Sequence, residues 1–384
     1  MSDRQTKRER GFSLLELVIA MALGLIVLGA AVQIYSQGVG ATWTVTQRAE
    51  MQQDFRSASN MLTKDLSLAG AGLSPGTAIA LPNTTPPQYG CDQTGQCYIN
   101  GLAGAFPVQS GTPYLYGLIP GYNKGPILSG GATDVTTVAY TDSGFYLNCY
   151  NATVTSRGVV TFSQPVPPAT WATEGCLPSG VAAPQSVNDA ALGLSKGDLV
   201  LITLGGTTMV VEVTGTIGTG TDASGNTTYL VPFSNADALN LNQTPTGKGL
   251  NSVSVNATGS AAVAPCGATG PCRLLLISYY IDNSINPPRL MRQVSGHSPV
   301  PVAENVVFMK FSYDLFDTNA SLARTNQNDG GAALGLLPNQ ITKVNILNMA
   351  MNSSMSGARG GYQSTDLQTS VSVRNLSYVN NYPN

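Results

Sequence analysis

The chain has 384 residues, enough for one large or two ordinary domains beyond an anchor. Only 10% of them are charged, while 42 glycines and 23 prolines punctuate the sequence, a balance that favours short β-strands joined by turns over a helical bundle. The formal net charge is −2, and past the first ten residues the Lys and Arg side chains are scattered singly rather than clustered to displace counterions from phosphate, so nucleic-acid binding is disfavoured.

At the N-terminus Arg4, Lys7, Arg8 and Arg10 outweigh Asp3 and Glu9 and lead into Gly11. From Phe12 to Tyr35 the run FSLLELVIAMALGLIVLGAAVQIY holds one charge, Glu16, and no proline. As a helix it spans roughly 36 Å, enough to cross a hydrocarbon core of about 30 Å. A carboxylate at mid-bilayer costs about 2.5 to 3.5 kcal/mol on insertion scales, so Glu16 needs a partner. The next basic residue is Arg48, and the positive-inside rule then leaves the N-terminus in the cytoplasm and exports everything after about residue 36. Two blander readings stand beside this one. A secretory signal peptide has an apolar core of about 7 to 15 residues ending at a small-residue cleavage site, whereas this core is longer and carries a carboxylate; a plain membrane anchor would not call for Glu16.

A basic stub ending in Gly11, followed by Phe12, Ser13, Leu14, Leu15 and Glu16, resembles the class III signal of type IV prepilins and type II secretion pseudopilins. The resemblance covers residues 4 to about 40. It implies that a membrane-embedded prepilin peptidase cuts between Gly11 and Phe12 and methylates the new Phe12 amine. It also implies that Glu16 pairs with the terminal amine of a neighbouring subunit as the chain docks into a fibre. A carboxylate taken out of lipid is tolerable when paired with a cation, and such a pair makes register specific. Loss of the leader, residues 1–11, removes four basic and two acidic side chains and leaves a mildly acidic mature chain.

No proline occurs between Gly11 and Pro75, so the membrane helix, residues 12–35, can continue as an amphipathic half over residues 36–69. Met51, Phe55, Ala58, Leu62, Leu66 and Ala69 step by three or four residues and share one face, which should pack on a sheet. Between Val32 and Arg48 the pattern is looser and includes Gly38 and Gly40, a flexible stretch by this reading. By the resemblance, the fold class is α+β and pilin-like: a long N-terminal helix packed on an antiparallel, β-rich head with long loops over residues 70–384.

Loops are expected to about residue 132. Strand-like runs follow at Asp134–Tyr140, Gly144–Tyr150, Gly158–Phe162, Asp198–Leu204, Thr207–Thr216 and Thr227–Phe233, each bounded by Gly, Asn or Pro. A more regular block holds the run from Arg273, then Arg289–Val294 and Glu304–Phe316, with late strands at Ile341–Met351 and Leu367–Asn375. Strands with short connections and no helices between them point to antiparallel pairing.

Six cysteines, Cys91, Cys97, Cys149, Cys176, Cys266 and Cys272, lie beyond the apolar run, an even count that points to disulfides in an oxidising compartment. Their pairing stays open, with neighbours favoured because turn-forming residues separate Cys91 from Cys97 and Cys266 from Cys272. Zinc is the alternative, but those gaps of five residues exceed the usual spacing of about two to four, and the lone His297 lies elsewhere. No metal or other cofactor is expected. A nucleophile–imidazole arrangement could draw only on His297, and no phosphate-binding loop is present, so this chain is not read as an enzyme and ATP hydrolysis belongs to a partner. Oxygen-rich loops at 221–226, 317–321 and 326–331 could hold calcium, although Asp, Asn and Gly are equally what turns prefer.

The block from residue 273 to 376 is the second resemblance. An arginine-bearing hairpin, a strand opening Glu304-Asn305-Val306, a strand beginning Ile341-Thr342-Lys343-Val344 and the ending Ser370-Val371-Ser372-Val373-Arg374-Asn375 look like the PilW-type minor pilins. Asn345 and Asn348 depart from that pattern. The resemblance implies a minor pilin that primes type IV pilus assembly at the tip, with the major pilin, other minor pilins and the inner-membrane assembly platform as partners. A type II secretion minor pseudopilin of the GspJ kind shares leader, helix and head and is the rival. A tip adhesin acting through the loops Gly70–Ala132 and Val166–Ser195 is a further role.

Overall fold

The helix α1 spans Leu14–Ser67 without interruption, 54 residues free of proline. The computed structural model describes residues 11–73, 79–128, 131–142, 144–156, 158–163, 177, 180–181, 183–204, 207–243, 272–352 and 364–377. The leader up to Arg10, Cys176 and Cys266 therefore lie outside the described residues. Through the stretch read as flexible, α1 stays helical at Gly38 and Gly40, where the hydroxyls of Thr42 and Thr44 donate to the Gly38 and Gly40 carbonyls at 2.9 Å.

The chain divides into two compact units, Met1–Gln53 with Ser353–Gln363 and Asp54–Asn352 with Ser364–Asn384. Within the second unit the expected apolar stripe is buried: Phe55 nearly so, and Ala58, Leu62, Leu66 and Ala69 completely. Each leucine so buried contributes about 1.5 to 3 kcal/mol.

Short strands come first: β1 (Ile79–Ala80), β2 (Gln88–Tyr89), β3 (Gly104–Ala105), β4 (Val108–Gln109), β5 (Thr112–Leu115), β6 (Leu118–Gly121), β7 (Ile127–Leu128) and β8 (Gly131–Ala132). Longer ones follow: β9 (Val135–Thr141), β10 (Asn151–Ser156), β11 (Val159–Ser163), β12 (Leu199–Leu204), β13 (Thr207–Glu212), β14 (Gly218–Thr221) and β15 (Thr227–Pro232). The last group is β16 (Cys272–Asp282), β17 (Arg289–Val294), β18 (Val300–Glu304), β19 (Val306–Asp317), β20 (Leu322–Gln327), β21 (Ile341–Asn352) and β22 (Ser364–Ser372), with a helical turn at Arg374–Ser377.

All strand pairings among the described residues are antiparallel. The largest sheet, of seven strands, is built on β16, which pairs β9 along one edge and β12 then β17 along the other. Side chains alternate across it. One face carries Tyr140, Tyr279 and Arg292, which meet Asp65 of α1. The opposite face buries Leu276, Tyr280 and Met291 against Leu81, Tyr89, Phe106 and Leu115. A second core joins the sheet β10-β11-β15-β14 to the rear of β12 and β13: Val200, Ile202, Met209 and Val211 pack there with Val160, Phe162 and Val231. Being buried on both faces, Leu199–Ile202 of β12 and Met209–Val211 of β13 read as continuous apolar stretches rather than alternating ones. A third sheet has the order β20-β19-β21-β22.

Three expectations need correction. Gly144–Tyr150 is not a strand but a turn and a 3-10 helix over Leu147–Cys149; its aromatic Phe145 packs in the second core with the Arg273 guanidinium 4.6 Å over its ring, so apolar spacing there reflects packing of a turn. The segment before residue 132, read as loop, is stitched by short pairs, and β6 joins the main sheet. Four strands the sequence pattern did not reveal, β10, β14, β18 and β20, each stand at the end of a sheet. β14, β18 and β20 bury little of either face and give a weak period-two signal, whereas β10 alternates but turns only two apolar residues, Ala152 and Val154, into the second core. The last run ends as a strand at Ser372, and Asn375 lies in the helical turn.

Candidate functional site

Two places on α1 bear on function. At the first, Gly11 to Ser13 precede the helix and are exposed. A side chain at Gly11 would meet nothing within 4 Å, so the fold itself does not require glycine there. Phe12 is 81% exposed, and Leu14, Leu17, Ile19, Leu25, Ile26, Leu28 and Ile34 are all exposed as well. A contiguous apolar surface of this extent marks a membrane or protein contact. This is the one helix among the described residues long and apolar enough to cross a membrane.

Glu16 sits in the first turn of that helix. The Ser13 N–H donates to Glu16 Oε2 at 3.3 Å, and the Glu16 N–H donates to Ser13 Oγ at 3.2 Å. This reciprocal pair is a capping box, which satisfies two of the four N–H groups a helix start leaves unpaired. The carboxylate is thereby turned toward the N-terminal end of α1, next to the Phe12–Ser13 backbone. The S-x-x-E spacing of Ser13-Leu14-Leu15-Glu16 is the sequence signature of this box.

At the second place, Asp65 is 3% exposed on the buried side of α1. Its Oδ1 accepts from the Tyr140 hydroxyl at 2.9 Å, and its Oδ2 accepts from the Tyr279 hydroxyl at 2.6 Å and from Arg292 Nε at 2.8 Å. Arg292 Nε also donates to Tyr279 Oη at 3.2 Å. Burial, reinforced by the Asp65 charge, holds both phenols protonated far above their usual range. Burial works against the charged Arg292, but the bond to Asp65 more than offsets it and its pKa lies above the ordinary value. Just beyond, the Gly70 N–H donates to Ala139 O at 2.8 Å, and a side chain at Gly117 would stand 2.6 Å from Gly70 Cα, so this close approach demands glycine at 117.

Among the cysteines, Cys91 and Cys97 are bonded as the neighbour rule expects. Cys149 and Cys272 are also in disulfides. The loop closed by Cys91–Cys97 is organised by Asp92, which burial would raise but which hydrogen bonds from Thr94, Tyr98 and the Gln96 N–H hold at about 2. The oxygen-rich loops use their carboxylates as turn acceptors. Asp222 takes the N–H groups of Ser224 and Asn226, Asp317 those of Asn319 and Ala320, and Asp329 those of Gly331 and Ala333.

His297 pairs with Asp198, Nε2 to Oδ1 at 2.8 Å, beside a buried acidic pair. Glu212, 2% exposed, accepts from the Leu239 N–H at 3.0 Å and is pushed by burial up to about 7. Asp237, raised by burial, takes the N–H groups of Leu241 and Asn242. These groups clasp the 234–243 loop to the head, and sequence pattern gave no hint of them.

A family profile described as the prokaryotic N-terminal methylation motif matches residues 6–32. No curated protein and no solved structure matches the chain. The matched segment holds Gly11, Phe12, Ser13 and Glu16 and the apolar start of α1. The chain thus carries a type IV prepilin-like class III signal on a membrane-anchoring helix, which supports a type IV pilin-like or pseudopilin precursor.

Proposed function

We propose that this chain is a minor pilin of the type IV pilus. Prepilin peptidase cuts between Gly11 and Phe12 and methylates the Phe12 amine. The processed chain waits in the inner membrane with its N-terminus cytoplasmic and its head periplasmic, and then enters a pilus on the cell surface. In the fibre, Glu16 pairs with the Phe12 amine of a neighbouring subunit, and the head contacts other minor pilins at the tip, where it primes assembly on the inner-membrane platform.

The observation that carries this reading is the lone carboxylate of Glu16 in the otherwise apolar, exposed segment Phe12–Tyr35, five residues past a glycine that the fold does not need. In lipid the capping box shields that carboxylate only in part, since Ser13 supplies neutral hydrogen bonds and no positive charge. A neighbour's ammonium adds the missing cation, so transfer from bilayer to fibre becomes favourable. A head of more than three hundred residues suits a tip position better than a shaft that repeats it many times over.

A deletion strain complemented with the wild-type chain or with Glu16→Ala tests the proposal. Loss of surface pili and twitching on deletion, restored by the wild type and not by Glu16→Ala, is expected. Intact piliation with exoproteins retained inside the cell would instead identify a type II secretion pseudopilin.

A further inference from the structure

Lys310 of β19 reaches the turn between β6 and β7. Its Nζ donates to the side-chain carbonyl oxygen of Asn123 and, at 2.7 Å, to Asp134 Oδ1. Asp134 precedes β9 and its side chain is 2% exposed; Oδ1 also accepts the Asn123 N–H at 2.8 Å and Oδ2 the Phe311 N–H at 3.0 Å. The Tyr122 ring covers the amine, with Nζ 4.9 Å from its centroid, and the Lys310 side chain keeps 20% of its exposure. An amine, a carboxamide and a buried carboxylate from three separate segments are thus held within hydrogen-bond reach. The atom bonded to the oxygen that Lys310 touches is Cγ of Asn123, the carbon a nucleophilic amine attacks. An ordinary ion pair explains Lys310 with Asp134. It does not explain why the same amine is shared with a side-chain amide whose backbone is fixed by that same carboxylate.

We propose that Lys310 and Asn123 are a site of autocatalytic isopeptide formation, with Asp134 as the proton carrier. Asp134 takes a proton from the Lys310 ammonium, and the free amine attacks Asn123 Cγ. The Nζ–Cγ bond forms. Asp134 returns that proton to the Asn123 amide nitrogen and then carries a second one to it from the newly bonded Nζ; the Cγ–Nδ2 bond breaks and the nitrogen leaves as ammonium, taking with it the positive charge that Lys310 held. Nothing is oxidised or reduced and no co-reactant enters. Held geometry replaces the encounter of two reactants, and a positioned acid–base group adds a further factor of about 10² to 10⁴. The product ties β19 of the four-stranded sheet to the end of β6 in the seven-stranded sheet, across 187 residues of sequence.

Peptide mass mapping of the purified full-length chain, reduced and digested with trypsin, tests this directly. The expected result is a branched peptide joining the Asn123 and Lys310 segments, lighter than their sum by one ammonia, with no cleavage after Lys310. Recovery of the two segments only as separate linear peptides, with normal cleavage after Lys310, overturns the proposal, and this reading needs no variant. Lys310→Arg, which keeps the cation, should abolish the branched species. Asp134→Asn should slow its formation by about a hundredfold or more; a branched peptide forming at the wild-type rate in Asp134→Asn overturns the role given to Asp134.

Discussion

Asp65 of α1 and Arg292 of β17 form an ion pair at 2.8 Å between residues 227 positions apart, with the Asp65 side chain 4% exposed and two tyrosine hydroxyls completing its coordination. A carboxylate buried beside the apolar stripe of a helix would be costly alone. Here it ties the helix to three strands' worth of partners and fixes how α1 sits on the head sheet within that unit.

Removing one member of this pair leaves the other buried without its counter-charge, which costs about 3 to 5 kcal/mol in comparable pairs. Asp65→Ala should therefore destabilise the head by about 3 kcal/mol. Urea denaturation of the detergent-solubilised chain, followed by tyrosine fluorescence, checks the value; a change below about 1 kcal/mol would mean the network adds little beyond packing.

Gly117→Ala should also destabilise, because its added carbon would stand 2.6 Å from Gly70 Cα and 2.7 Å from Gly70 N, backbone that cannot turn aside. Overpacking of this kind costs about 1 to 3 kcal/mol. The same denaturation measurement reads it, and an unchanged midpoint would show that the helix exit shifts freely.

Stability should rise on mild acidification. Glu212 has a folded pKa of about 7 against an ordinary 4.5, so the folded chain binds the extra proton. Its contribution is full below about 4.5 and is lost as pH rises to about 7, amounting to at most about 3 kcal/mol. His297 is raised above 6.5 by the bond to Asp198, so its contribution is present below 6.5 and is lost as pH rises through the folded value. Asp92, held at about 2, acts oppositely and loses its contribution only as pH falls below about 4. The melting temperature should therefore peak near pH 5 and fall by pH 8, and Glu212→Gln should flatten the slope between those values. A melting temperature that climbs from pH 5 to pH 8 would contradict the assignment.

Charge and capping can be separated at the N-terminus. Glutamine at N3 of a capping box still reaches back to the N-cap N–H, so Glu16→Gln keeps the helix start while removing the negative charge. Assembly should fail with Glu16→Gln and survive Ser13→Ala, which keeps the carboxylate and loses only its cap, a loss of about 1 kcal/mol. Counting the variant chain in sheared surface fibres by immunoblot separates the two, and normal incorporation of Glu16→Gln would assign Glu16 a capping role alone.

What could be read from residue order follows the range of the forces involved. The extent of α1, its buried stripe and the strands at the sheet centres rest on local periodicity, and so the helix ends at Ser67 against an expected Ala69 and β17 matches its expected bounds. The edge strands β14, β18 and β20 lack that periodicity because little of their surface is buried, and β10 carries it on only two apolar residues, Ala152 and Val154. Asp65 found its partners 75, 214 and 227 positions away, and Glu212 meets Leu239 and Asn242 only through the fold. Pairings at such distances leave no trace in a single sequence. The Ser13–Glu16 box is the opposite case, a local signal that spacing alone contained.

The most direct measurement is the mass and sequence of the N-terminus of the mature chain purified from the producing cell. The expected product begins at Phe12 carrying one methyl group on its amine, with residues 1–11 gone. A chain that begins at Met1, or one cut within or after the apolar segment, would contradict the prepilin reading and with it the role assigned to Glu16.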